Sequence, residues 1–118
     1  MDLKTDVLFL TVSELLYTYD FVGLNLGHNP GEYDTQAWGI IDKLHRLSSA
    51  EAVGEELYSM FYFFFDGEDL LLYKSGDERY TLAGAEILGV WRDFNTLSDE
   101  AFLERYHTFG DIDALFTD

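Results

Sequence analysis

A chain of 118 residues that is 47% hydrophobic and 17% aromatic has enough apolar side chain for one domain with a substantial core, which excludes a purely disordered acidic segment. Its 23 acidic and 7 basic residues leave a formal net charge of −16, a surface that repels nucleic-acid phosphates and anionic lipid heads. There is no cysteine, so disulfides, thiolate catalysis and cysteine-ligated zinc are excluded as well.

A net charge of about 2–8 in magnitude is ample for the solubility of a small domain, and self-repulsion costs stability. The excess here points to a basic protein partner, whose encounter it would accelerate most at low salt. The N-terminus, MDLKTDVLFLTVSELL, has no basic region, and Val7 to Val12 is too short for a secretory core. The expectation is therefore a cytoplasmic protein with no signal peptide and no membrane span.

In chain order, Asp2 to Tyr19 reads as the first helix, with Leu3, Val7, Leu8, Val12, Leu15, Leu16 and Tyr19 on one stripe. Asp20 to Tyr33 is a glycine-rich loop with a turn at Asn29-Pro30-Gly31, and its Phe21, Val22, Leu24 and Leu26 are expected to tuck into the core. Asp34 is expected to N-cap a second helix over about Thr35 to Leu47, with Ala37, Trp38, Ile40, Ile41, Leu44 and Leu47 apolar. Ser48-Ser49-Ala50-Glu51 reads as a capping box that opens the next helix almost at once.

That helix, EAVGEELYSMFYFFF from Glu51 to Phe65, organises the rest. Val53, Leu57, Met60, Phe61 and Phe64 form a stripe, while Tyr58, Tyr62, Phe63 and Phe65 make the last two turns apolar nearly all round. All-round apolarity is the mark of a buried central helix. Asp66-Gly67 ends it. Between Leu70 and Ala83 two readings stand: a short β-hairpin pairing Leu70–Lys74 with Arg79–Ala83, or a helix from about Asp77 to Phe94. The helix is the favoured one, with Gly84 and Gly89 counting about 1 kcal/mol each against it. A last helix over about Asp99 to Thr108, begun by Thr96 or Ser98, presents Ala101, Phe102, Arg105 and Tyr106 inward. Gly110 then stops it, and Ile112, Leu115 and Phe116 of the tail are spaced to dock as one turn. The fold expected is a single all-α domain over residues 1–118, a compact bundle of about five helices around the one near 50–65.

No catalytic motif is present, and no enzyme is expected. His28, Glu32 and Asp34 lie close in the loop and are of metal-ligating type, but their spacing matches no established motif. Asp66-Gly67-Glu68-Asp69 lacks the alternating acidic pattern of an EF-hand. No cofactor is expected. The carboxylates cluster as Glu51, Glu55 and Glu56; Asp66, Glu68 and Asp69; Asp99, Glu100 and Glu104; and Asp111 with Asp113. Tyr33, Tyr73, Tyr80 and Tyr106 stand beside acidic residues and are candidate surface anchors, tyrosine being a frequent hot-spot residue.

The segment YDFVGLNLGHNPGEYDTQAWGIIDKL, Tyr19 to Leu44, resembles short helical bacterial proteins of unassigned function, in which an aspartate and a Gly-Leu step precede a loop ending in Glu-Tyr-Asp and leading into a helix. Phe21 stands where that pattern usually has proline, and YTLAGAEILGVW is similar to the family's closing helix. Some similar small acidic proteins act as immunity proteins in contact-dependent growth inhibition. The resemblance implies a binder and supplies no catalytic residue. Three functions remain open at this point. The first is an immunity or inhibitor protein that covers a basic toxin domain, a nuclease being the type expected, and acts without contacting nucleic acid directly. The others are a nucleic-acid mimic that inhibits a phage-defence nuclease and a metal-dependent or housekeeping domain.

Overall fold

A computed structural model of the chain describes residues 3–22 and 33–106. They form α1 (Leu3–Tyr19), α2 (Asp34–Lys43) extended by one 3-10 turn (Leu44–Arg46), α3 (Ala50–Phe64), α4 (Glu78–Thr96) and α5 (Asp99–Tyr106). Among the described residues the protein is all-α.

The hairpin is not formed. Its backbone donors and acceptors are used elsewhere: the Leu72 N–H donates to the Phe21 carbonyl at 2.7 Å, and the Tyr73 carbonyl accepts from the Tyr80 hydroxyl at 2.6 Å. Asp77 instead N-caps α4, its Oδ1 accepting from the Arg79 N–H at 2.9 Å, so Tyr80 enters the core from the first helical turn. Residues 65–77 are a packed connection in which Leu71 is buried between the exposed Leu70 and Leu72.

Two caps sit one residue from where the sequence suggests. Ser49, not Ser48, caps α3 and accepts from the Ala52 N–H at 3.1 Å, so Glu51 is not at the position from which a capping-box glutamate reaches back. Tyr33 takes the cap position of α2, and Asp34 is its first helical residue, where a carboxylate still favours the positive end of the helix. The stop of α3 and the start of α5 follow expectation. Ser98 Oγ accepts from the Ala101 N–H at 3.1 Å. At Asp66 (φ 59°) the chain turns left-handed and the Gly67 N–H reaches back to the Tyr62 carbonyl at 2.9 Å, the Schellman arrangement.

The core is one cluster. Val7, Leu8, Val12 and Leu16 of α1 meet Ala37, Ile40 and Leu44 from the second helical segment, Val53, Leu57, Met60 and Phe61 of α3, Tyr80, Ala83, Ile87 and Val90 of α4, and Phe102 and Tyr106 of α5. Phe21 is fully buried at its centre, stacked on Tyr80 (4.7 Å between centroids) and tilted against Phe61 (5.3 Å). Leu24 and Leu26 of the same loop, Gly110 and the tail residues Ile112, Leu115 and Phe116 lie outside the described residues.

The centre of the bundle is not α3. The helices that gather the others are α1, packed on α2, α4 and α5, and α4, packed on α1, α3 and α5; the main partners of α3 are α2 and α4. Its buried residues Val53, Gly54, Leu57, Met60 and Phe61 lie on one side only, and Tyr62, Phe63 and Phe64 are exposed by 49, 79 and 50%. All-round apolarity thus marks a helix whose aromatic end no other element covers among the described residues.

Candidate interaction surface

The inner side of α3 sets the position of its outer side. A Cβ on Gly84 would stand 2.3 Å from the Ala50 carbonyl oxygen, and one on Gly54 would stand 2.8 Å from the Tyr80 carbonyl. The two helices therefore meet backbone to backbone, with no side chain between them at that crossing. With its inner side closed so tightly, α3 turns the opposite stripe to solvent. Glu51, Glu55, Ser59, Tyr62 and Phe63, at spacings of four, four, three and one, are all exposed.

These residues line two adjoining furrows. One is bounded by Glu51, Gly54, Glu55, Asp77, Tyr80 and Thr81 and the turn Ser75-Gly76; the other by Tyr62, Phe63, Asp66 and Gly67; both share Tyr58 and Ser59. Laid end to end and meeting at Tyr58 and Ser59, they make a shallow two-part channel along α3, acidic in its N-terminal part and aromatic in its C-terminal part. Phe64 adds a ring edge-on to Phe63, 5.8 Å between centroids.

The wall of the channel is tied to α3 by a tyrosine and a carboxylate. The Tyr58 hydroxyl donates to Glu68 Oε2, and the Ser75 N–H donates to the same oxygen at 3.4 Å. The hydrogen bond from Tyr58 lowers the Glu68 pKa; the Ser75 N–H and Lys74 act in the same direction, against desolvation. The same bond, then burial, pushes the Tyr58 hydroxyl up to about 12. Lys74 donates to the Glu68 carbonyl at 3.1 Å, and Arg79 lies 4.0 Å over the Tyr73 ring while reaching Asp77 at 3.7 Å.

The few cations are placed selectively. Lys43 (2.7 Å) and Arg46 (3.8 Å) both reach Glu56, Lys4 reaches Asp99 (3.3 Å), and Arg105 reaches Asp93 (3.5 Å). Glu51, Glu55, Asp66 and Asp69 carry no ion pair among the described residues. Of the clusters read from sequence, Glu51 with Glu55 and Asp66 with Glu68 thus belong to one surface, whereas Glu56 is neutralised beside it. Asp99, Glu100 and Glu104 are exposed on α5, which packs on α1 and α4 and is a separate patch.

Asp111 and Asp113 lie outside the described residues, as do His28 and Glu32. Asp34 accepts a hydrogen bond from the Ser13 hydroxyl at 2.6 Å. No group of three or more metal-ligating side chains occurs among the described residues.

The tyrosines singled out as anchors are mostly interior. Tyr33, Tyr80 and Tyr106 are buried, and burial pushes the Tyr80 hydroxyl upward. Tyr33 is held by its hydroxyl, which donates to Asp20 Oδ1 at 2.7 Å, and Tyr106 donates to Asp93. Tyr73 is half-buried, edge-on to Phe21 and bonded through its hydroxyl to the Tyr19 carbonyl at 3.3 Å. Among the described residues the most exposed rings are Tyr62, Phe63 and Phe64, which the sequence assigns to the interior; Trp38 of α2 is exposed to a lesser degree. For two of the three the signal was present: Tyr62 and Phe63 continue the stripe begun by Glu51, Glu55 and Ser59, and a stripe that opens with two glutamates faces water, whereas Phe64 continues the inner stripe beyond its last buried residue.

Chemically, this arrangement offers unpaired carboxylates for cations and open ring faces for apolar or cationic side chains. Comparison with protein-family models, curated proteins and solved structures gives no match. Among the described residues no helix is long and apolar enough to cross a membrane.

Proposed function

We propose that the protein is a small acidic immunity or inhibitor protein of the cytoplasm that binds a basic toxin domain, a nuclease being the best fit, and occludes its active cleft through the outer face of α3. The observation that carries this reading is the coincidence, on one channel, of unpaired Glu51 and Glu55 with exposed Tyr62 and Phe63. Between residues 50 and 79 there are eight carboxylates and two cations, Lys74 and Arg79. Such a field steers a basic protein, and aromatic rings at its end supply the desolvated anchors that hold it.

Mimicry of nucleic acid is less well supported. DNA carries a phosphate about every 3.4 Å along each strand. Along α3 the solvent stripe has no carboxylate between Glu55 and Asp66, a gap of roughly 16 Å at helical rise filled by Ser59, Tyr62 and Phe63. A broken row of charge with rings in the gap suits a protein surface.

The test is affinity capture from the source cells with the wild-type chain and with the Glu51→Gln/Glu55→Gln/Phe63→Ser variant. The expected result is a basic protein held by the wild type and lost by the variant, with binding that weakens as salt rises, chiefly through a slower on-rate. Recovery of only neutral or acidic partners, or equal capture by both chains, overturns the reading.

A further inference from the structure

The channel is polar at one end and aromatic at the other, and this polarity constrains the shape of what fits. We propose that its occupant is a single amphipathic helix of the basic partner, with one large apolar side chain seated at Tyr62–Phe63 and lysine or arginine side chains two to three turns away against Glu51 and Glu55. The proposal rests on the charge-complementary reading above and names the element that the partner inserts.

Three observations converge on a helix. Glu55 and Tyr62 are seven residues apart on α3, and Glu51 and Phe63 twelve, so charge and anchor are separated by roughly 10–18 Å. One face of a helix spans that distance in about seven to twelve residues, with all its backbone groups satisfied internally. An extended segment would need main-chain partners, and the middle of the channel is walled by a helix whose own amides are already bonded, with no strand edge among the described residues. The two furrows also adjoin at Tyr58 and Ser59, so the charged and the aromatic ends follow one another along the axis of α3, as the contacts of a rod laid beside it would.

Charge excludes the simplest other occupant. A second copy of this chain brings another −16, and of its cations Lys43 and Arg46 are already committed to Glu56. Like-charge juxtaposition at Glu51, Glu55 and Asp66 would oppose self-association.

The test uses the full chain and two labelled helical peptides of about 18 residues with identical composition. In the first, a tryptophan and three arginines share one face about eight residues apart; in the second, the arginines are moved to the opposite face. The expected result is that the face-matched peptide binds about tenfold tighter. Phe63→Ser should abolish that preference while keeping the salt dependence, and Glu51→Gln/Glu55→Gln should flatten the salt dependence. Both sets of residues are exposed, and circular dichroism verifies that each variant is folded. Equal affinity for the two peptides sinks the helix proposal and leaves a charge-only surface. Absence of binding by either peptide, while capture of a basic protein still depends on the same three residues, also sinks it and leaves the broader reading standing. Concentration-dependent dimerisation that Phe63→Ser removes assigns the channel to a second copy and overturns the proposal.

Discussion

On its inner side α3 comes so near α4 that a single added methyl at Gly84 would stand 2.3 Å from a carbonyl oxygen, whereas on its outer side Phe63 is 79% exposed. Both sides belong to one helix, yet they obey different pressures. The inner side excludes everything larger than hydrogen at the crossing and surrounds it with Val53, Leu57 and Phe61. The outer side tolerates unpaired carboxylates beside bare aromatic rings, an arrangement that folding alone gives no reason to keep. Contiguous exposed apolar surface rimmed by polar groups is typical of interaction sites. The difference between the two sides is therefore the best guide to which residues of α3 serve stability and which serve recognition.

The largest expected effect breaks the comparison if it fails. Phe61 and Phe63 are the same residue type two positions apart, one fully buried against Phe21 and Tyr33, the other open. Phe61→Ala should cost about 3–5 kcal/mol, the range for emptying a buried aromatic site. Phe63→Ala should change stability by no more than about 0.5 kcal/mol. Urea denaturation of the two variants measures the contrast. A comparable loss in both would show that the aromatic end of α3 supports the fold.

Gly84→Ala probes the inner side from α4. Alanine gains about 1 kcal/mol in helix propensity over glycine. Against that, the new methyl meets Ala50 O at 2.3 Å, Gly54 N at 3.1 Å and Val53 Cβ at 3.2 Å, two of them backbone atoms that no rotamer change can move. Overpacking of this kind typically costs about 1–3 kcal/mol, and contacts this short with backbone belong to the upper part of that range, so it should win, giving a net loss of up to about 2 kcal/mol in the same denaturation experiment. A neutral result would mean that the two helices separate easily.

A smaller effect appears at high pH. In a chain short of cations, tyrosine hydroxyls serve as donors to carboxylates: Tyr58 to Glu68, Tyr19 to Glu86 and Tyr106 to Asp93. Burial first, then the carboxylate, pushes Tyr19 and Tyr106 up to about 12. These pKa values are raised in the folded state, so their contribution is full below the unfolded value near 10 and is lost as pH climbs through about 12. Melting temperature should therefore fall progressively over that window, and Tyr106→Phe should shallow the fall. An unchanged slope in Tyr106→Phe would refute the assignment for that pair. Glu68 behaves in the opposite sense: its pKa is lowered, so its contribution is present above the unfolded carboxylate value and is lost as pH drops through the folded one.

Much of the architecture was readable residue by residue. The stripes of α1, α2 and α4, the stop at Asp66-Gly67 and the start at Ser98 follow from periodicity and capping chemistry, which are local. What failed was non-local. Seeing that Tyr62, Phe63 and Phe64 surround a helix says nothing about whether another element covers them, and apolarity was mistaken for coverage. The hairpin alternative at 70–83 had the right alternation of side chains, with Leu71 buried between exposed leucines, but the partner of the Leu72 amide turned out to be Phe21, about 50 residues away in sequence. The charge clusters were visible as strings; which of them remain unpaired depended on where Lys43 and Arg46 fold back, and that places Glu56 apart from Glu51 and Glu55.

The smallest effect sharpens the comparison along α4 itself. Gly84 and Gly89 look alike in sequence, each a glycine inside a helix and each unfavourable by propensity. A Cβ at Gly89 would meet nothing within 4 Å, so only Gly84 has a packing reason to lack a side chain. Gly89→Ala should therefore stabilise the protein by up to about 1 kcal/mol, partly by restricting the unfolded chain. The urea midpoint should rise with the slope unchanged, since no surface is rearranged. Gly89 floors a shallow groove that also holds Val90, Arg92, Asp93, Arg105 and Tyr106. If Gly89→Ala destabilises instead, the backbone there is under a constraint that free space around the helix does not reveal, and the division of α4 into a glycine that packing requires and one that it merely tolerates fails.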